Sequence, residues 1–273
     1  MNLKTFVLVI ARAWLGGLSV FVLSSTVDAV PVVTDCPGGS CNLQELLDGS
    51  SITIGDKQFH NFTNFTSTAA EGVFNTPLQT GLPLIAGNIR VTSQEDLGGA
   101  GVAGEIGLLF DFGIASPLAP ILAGGNTLTI GWEYDVTVVG GNNLIVDNTL
   151  MFPGGDAPGS AGQSSANTAL GASLQVQEQV TNAAGALVVR KVITADEFGA
   201  TPEIDHRDFA PLSSIHISTA LTANGGPQDV GATVVFDYLV QSFSQQTVAE
   251  PSSLFLVGAA FAGLGFARRR NVH

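Results

Sequence analysis

The chain has 273 residues, 12% of them charged and 45% hydrophobic, with a formal net charge of −13. Between Val30 and Val248 five basic residues stand against 21 acidic ones, a formal charge of −16. A surface of that sign repels nucleic acid and anionic lipid headgroups, which argues against both as partners of this region.

At the N-terminus Lys4 and Arg12 precede an apolar stretch from Ala13 to Leu23, and Val27-Asp28-Ala29 offers a small-residue exit. A basic start, a short apolar core and an A-x-A-like end predict a secretory signal peptide over residues 1–29, cleaved between Ala29 and Val30. Gly16, Gly17 and Ser19 interrupt the apolar stretch, which is short for a membrane span. An uncleaved N-terminal anchor is the alternative. About 220 residues follow before the next long apolar segment. That is enough for one large β domain over residues 30–247, with two smaller units as the alternative.

Cys36 and Cys41, the only cysteines, bracket Pro37-Gly38-Gly39-Ser40. The spacing is not C-x-x-C and no βαβ pattern surrounds it, so outside the cytoplasm a disulfide closing this turn is expected. It would contribute roughly 2 kcal/mol by the loop-entropy estimate. Asn42–Leu47 is the only short helix expected in this region.

Strand patterns dominate the chain from Ser51 onward. Ser51–Ile54 and Ile85–Val91 are candidate strands, and Ile106, Leu108, Phe110 and Phe112 fall on every second position. Gly99-Ala100-Gly101-Val102-Ala103-Gly104 matches G-x-G-x-x-G, but a dinucleotide site needs a helix after the glycines, and the alternating residues after it predict a strand. Leu128, Ile130, Trp132, Tyr134, Val136 and Val138 alternate with polar residues over a long half-buried strand. Asn143–Met151 is a further strand, and the Gly-, Ala-, Ser- and Pro-rich stretch from Met151 to Thr168 predicts a long exposed loop. Leu174, Val176 and Val180 alternate with glutamines, Leu187–Thr194 continues the series, and Ile215 and Ile217 alternate with Ser214, His216 and Ser218. Val234, Phe236, Tyr238 and Val240 close it. Glycine- and asparagine-rich turns such as Gly140-Gly141-Asn142 lie between these runs, as positive φ requires. Nine or ten alternating strands with almost no helical pattern predict an all-β, antiparallel β-sandwich.

No catalytic motif stands out. Pro158-Gly159-Ser160-Ala161-Gly162 misses the nucleophile elbow at its first residue, and neither H-E-x-x-H nor a P-loop lysine occurs. Glu203-Ile204-Asp205-His206-Arg207-Asp208 is the densest polar cluster. Glu203, Asp205 and Asp208 offer oxygens suited to Ca²⁺, whereas Arg207 among them favours an ordinary charged loop. No cofactor is expected. His216 is placed on a polar strand face, and Trp132, Tyr134 and Tyr238 on inward faces, which leaves few exposed rings for a sugar platform.

The last 26 residues differ from the rest. Val248-Ala249-Glu250-Pro251 is followed by an apolar run from Leu254 to Ala267 and by Arg268-Arg269-Arg270. Residues 252–267 would span only about 24 Å as a helix. The arginines would stay cytoplasmic by the positive-inside tendency, leaving the preceding domain outside. This order of parts resembles the PEP-CTERM sorting signal, with Ala249 where the first proline usually stands, so that the motif reads Ala-Glu-Pro. The resemblance implies a protein exported by the secretion translocon, trimmed by signal peptidase and held transiently in the inner membrane by residues 248–273. A membrane exosortase would process it near Val248, Ala249, Glu250 and Pro251, delivering it to the cell surface or the medium, with exopolysaccharide as a partner. The run from Ser51 to Phe59 with Phe62, and Gln241–Gln245, are similar to the opening and closing strands of domains that carry this tag. The expected role is structural or adhesive and not enzymatic. A carbohydrate-binding module and a secreted hydrolase are the alternatives.

Overall fold

Period-2 alternation is converted into strands almost wherever it occurs. The computed structural model describes residues 36, 39–70, 84–95, 105–113, 121–140, 143–152, 165–195, 204–227 and 232–247. The expected signal peptide with Ala29 and Val30, the motif Val248, Ala249, Glu250 and Pro251, the cluster Arg268, Arg269 and Arg270, and Glu203 lie outside them.

The described elements are β1 (Ser40–Asn42), helix α1 (Leu43–Leu47), β2 (Ile52–Ile54), β3 (Lys57–Ala70), β4 (Arg90–Glu95), β5 (Ile106–Asp111), β6 (Ile121–Ala123), β7 (Thr127–Val138), β8 (Asn143–Met151), β9 (Ser165–Ala166), β10 (Ser173–Asn182), β11 (Leu187–Thr194), β12 (Ile204–Leu212), β13 (Ser214–Asn224), β14 (Thr233–Val235), β15 (Tyr238–Phe243) and β16 (Gln245–Thr247). Helix α1 is short but well closed: Asn42 Oδ1 accepts from Glu45 N and Glu45 Oε2 accepts from Asn42 N, a reciprocal capping box. Just before it, Cys36 and Cys41 form a disulfide, Cα atoms 5.3 Å apart. Among the described residues no helix is long and apolar enough to cross a membrane.

All the observed pairings are antiparallel. Six strands form one sheet in the order β11-β10-β13-β7-β3-β2, and seven form another in the order β1-β4-β5-β15-β8-β12, with β16 also beside β8. A small third sheet runs β6-β14-β9. The two large sheets pack face to face through aromatic side chains. Phe59 on β3 lies 5.8 Å from Phe243 on β15, and Phe110 on β5 lies 4.9 Å from Trp132 on β7, ring centre to ring centre. Phe62 stacks on Tyr134 at 5.0 Å. Such rings bury large apolar areas and dominate core energetics.

The sandwich interior also holds charge. Glu178 on β10 and Lys191 on β11 face each other across one rung at 2.6 Å, both side chains fully buried. Gln241 on β15 reaches across from the other sheet, donating to Glu178 and, at 2.8 Å, to Thr219 Oγ1, while Tyr134 donates to Gln241 Oε1 at 2.8 Å. Desolvation lowers the Lys191 pKa against the pull of Glu178, and burial raises that of Tyr134 well above its usual value.

Several expected boundaries shift. The run Ile85–Val91 begins with a 3-10 turn at Ala86–Asn88, and its strand is Arg90–Glu95. The run Val234–Val240 is two strands: β14 belongs to the small sheet and β15 to the seven-stranded one, broken at Phe236 and Asp237 where the chain changes sheet. The polar cluster at 204–208 is part of strand β12 instead of a loop, because its backbone pairs with β8 from His206↔Thr149 to Asp208↔Asp147. The expected loop between Met151 and Thr168 ends in β9, a two-residue strand.

Candidate functional site

The outer face of the six-stranded sheet carries an organised band of polar side chains across β3, β7 and β13. Its origin is a tandem tripeptide, Asn61-Phe62-Thr63 and Asn64-Phe65-Thr66. Opposite β7 the register slips twice, between His60 and Thr63 and again between Thr63 and Thr66, so three residues of β3 twice face two of β7. Each slip contains an asparagine with φ of 54°, the only positive-φ residues other than glycine among the described residues. Asparagine tolerates this region better than most side chains, and a bulge re-aims the side chains it carries.

Here the bulges aim both asparagine amides at carboxylates. Asn61 Nδ2 donates to Asp135 Oδ2 at 2.9 Å and Asn64 Nδ2 to Glu133 Oε2 at 2.5 Å. From β13, His216 donates through Nδ1 to Asp135 Oδ1 at 2.8 Å, its Nε2 lies 3.7 Å from Glu133 Oε2, and Ser218 Oγ donates to Glu133 Oε1 at 3.4 Å. One rung further, His60 Nε2 meets Thr137 Oγ1 at 3.0 Å, and Thr137 meets Ser214 at 3.1 Å. The side chains of Asp135, Glu133 and His216 stay 29%, 29% and 38% exposed. Gly131 is the next residue of β7 on this face, and Thr66 closes over it so tightly that a Cβ there would lie 3.0 Å from Thr66 Oγ1. Carboxylates, amide oxygens and ring nitrogens held in a row on a rigid sheet, each still partly open to water, can accept and donate hydrogen bonds to a hydroxyl-rich ligand without rearranging.

A second pair of carboxylates sits at the end of the seven-stranded sheet. Asp111 Oδ1 accepts from Gly113 N at 2.9 Å, and a Cβ on Gly113 would lie within 3.4 Å of Asp111 Oδ1 and 2.8 Å of Asp237 Oδ1. Desolvation and then Asp111 push Asp237 up to about 6. Asp237 is only 6% exposed, so its acid is turned into the protein and away from solvent.

Of the residues singled out in the sequence, Asp205 and Asp208 lie on β12 but are engaged separately. Asp205 pairs with Arg207 at 2.6 Å and accepts from Val192 N on β11 at 3.1 Å, whereas Asp208 lies 3.4 Å from His206 Nε2. They do not converge as calcium ligands, since residues three apart on a strand face opposite sides. Trp132 and Tyr134 are buried in the core, so neither forms a sugar platform, whereas Tyr238, expected inward, is half-buried on the face of β15 opposite to Gln241. The polar band itself is not among the sites expected from sequence, although the doubled Asn-Phe-Thr was a visible signal of repeated backbone irregularity.

No known protein family matches the chain, and no curated protein matches it. Among solved structures it is similar to TmCBM61 in complex with β-1,4-galactotriose, at 7% identity and TM-score 0.28, over 67% of this chain and 90% of that one. A DUF4465 family protein from Bacteroides caccae aligns at 11% identity and TM-score 0.25, over 68% and 88% of the two chains. A family 6 carbohydrate-binding module aligns at 9% and 0.21, over 76% and 93%. Similarity at these scores carries no weight for what this chain binds.

Proposed function

We propose that the protein is an exported surface or matrix component whose β domain binds a hydroxyl-rich glycan, without catalysis, on the outer face of the six-stranded sheet. The observation that carries this reading is the double bulge of β3, which fixes Asn61 and Asn64 onto Asp135 and Glu133 beside His216. A core that only needed to be covered has no use for two positive-φ residues holding half-exposed carboxylates. Strained backbone of this kind costs about 1–3 kcal/mol per residue and clusters at binding sites. The charge of −16 over residues 30–248 favours a neutral or weakly basic polysaccharide over an acidic one. The likeness of residues 248–273 to an exosortase-processed tail supplies the address: export, a brief stay in the inner membrane, and release at the surface.

Titration calorimetry of the protein against neutral, amino-sugar and acidic polysaccharides tests the binding. Saturable binding of a neutral or amino-sugar polymer that Asp135→Ala weakens at least tenfold supports the reading. No binding to any of the three overturns it. Intact-mass analysis of the protein from membrane and extracellular fractions tests the address. A chain beginning at Val30 and ending near Glu250 is expected outside the cell.

A further inference from the structure

The seven-stranded sheet carries a separate polar cluster that this glycan reading does not use. Glu105 immediately precedes β5, Asp147 lies on β8 and His206 on β12. The register places His206 opposite Thr149, Thr149 opposite Ser242, and Ser242 opposite Gly107. Glu105, two residues before Gly107, therefore shares their face. That face points away from the other large sheet, because the neighbouring Gln241 is the residue that reaches inward. One ligand atom each from Glu105, Asp147 and His206 lie within 4.8 Å of one another. Glu105 and Asp147 are 1% and 5% exposed, and the His206 side chain is 33% exposed.

The charges at this point do not balance within the protein. Among the described residues, no lysine or arginine lies within ion-pair distance of Glu105 or Asp147, and the only ionic neighbour is His206 Nδ1, 3.8 Å from Glu105 Oε1. The two buried lysines are committed elsewhere: Lys57 to Gln245 at 2.9 Å and Asp56 at 3.7 Å, Lys191 to Glu178 at 2.6 Å. Each senses the charge of the cluster, Lys57 that of Asp147 and Lys191 that of Glu105, without pairing to it. Hydroxyl and amide hydrogens are what the carboxylates receive. Ser242 donates to Glu105, whose Oε1 also lies 3.2 Å from the Thr149 hydroxyl oxygen, and Ser244 donates to Asp147 through its hydroxyl and, at 2.8 Å, its amide. Those bonds fix the carboxylates in place but bring no cation to two acidic side chains that burial has placed together.

The histidine adds an independent sign. Asp208 Oδ1 sits 3.4 Å from Nε2 and favours the proton on that nitrogen. The lone pair then lies on Nδ1, the atom facing Glu105 and now receiving the Thr149 hydroxyl at 2.8 Å. A carboxylate behind one ring nitrogen, orienting the other, is how proteins prepare a histidine to bind a metal.

We propose that Glu105, Asp147 and His206 bind a divalent transition-metal ion of the zinc type, with Asp208, Thr149, Ser242 and Ser244 orienting the three ligands. One imidazole and two carboxylates favour such an ion over calcium or magnesium, which take oxygen alone. Three protein ligands and a histidine open to solvent leave a position for water or an incoming ligand. The ion would tie the edge strand β12 to the middle of its sheet.

The test uses the full chain, stripped with a chelator, dialysed and titrated with zinc chloride, with metal content read by plasma mass spectrometry. One zinc per chain is expected, together with a rise in Tm on adding zinc, since binding to the folded state alone stabilises it. His206→Ala should weaken zinc affinity at least tenfold and Asp208→Asn by about tenfold, while His216→Ala on the other sheet leaves it unchanged. The exposed position of His206 keeps the variant foldable, and circular dichroism checks that. Failure to retain zinc, zinc binding indifferent to His206→Ala, zinc binding lost with His216→Ala, or calcium binding in its place overturns the assignment.

Discussion

Two polar groups built on the same six-stranded sheet have opposite fates. On its inner face Glu178, Lys191, Thr219 and Tyr134 are sealed against Gln241 of the other sheet. On its outer face Asp135, Glu133, His216 and two asparagines form an equally connected set that remains roughly a third exposed. Both sets join carboxylates to side-chain amides and to a basic residue, and water is the difference. Inside, no water is at hand, so Glu178, Lys191, Gln241 and Tyr134 are committed to one another and to holding the fold. Outside, water can substitute for any partner, so the same groups are free to exchange it for a ligand.

That contrast can be broken from either side. Lys191→Ala should cost the most, about 3–5 kcal/mol in urea unfolding, because it strands a buried carboxylate. A cost under about 1 kcal/mol, the range of an exposed pair, would show that the interior pair does not hold the fold. Tyr134→Phe removes a donor from Gln241 and should cost about 1–3 kcal/mol, with binding to any polysaccharide unchanged. Asp237 tests a sealed carboxylate beside another acid. Its pKa in the folded protein is raised to about 6 from 3.8, so the protonated form is the one that folding favours. That contribution is full below pH 4 and is lost as pH rises through 6, which makes ionised Asp237 a burden at neutral pH. Asp237→Asn should therefore raise stability relative to the parent by about 2 kcal/mol at pH 8 and give little or no gain at pH 4, read from Tm across that range. Smallest of all, Asp135→Ala should alter stability by only about 0.5 kcal/mol, as for other water-accessible positions. Its effect belongs in ligand affinity.

Much of the interior was legible in the sequence because period 2 survives in it. The inward positions of Leu128, Ile130, Trp132, Tyr134 and Val136 follow directly from alternation, and all five are buried. The same rule places Glu178 inward between Val176 and Val180, yet nothing nearby announces its partner, since Lys191 arrives on the next strand. The outer band was harder. Its register depends on two one-residue slips of β3, and each slip changes which side chain faces which partner. Glu105, Asp147 and His206 stand far apart in the chain and meet only through strand order, which propensity and periodicity do not encode.

The hydrogen bond from Val192 to Asp205 has a consequence for life at high local concentration. β11 and β12 are terminal strands of different sheets, and terminal strands expose backbone donors that another copy of the chain could pair with. Asp205 occupies one such donor, and Arg207 beside it adds a charged, well-hydrated obstacle to stacking. On this flank one edge donor is closed and a charge stands beside it, the two devices by which sheet edges discourage pairing with a second chain.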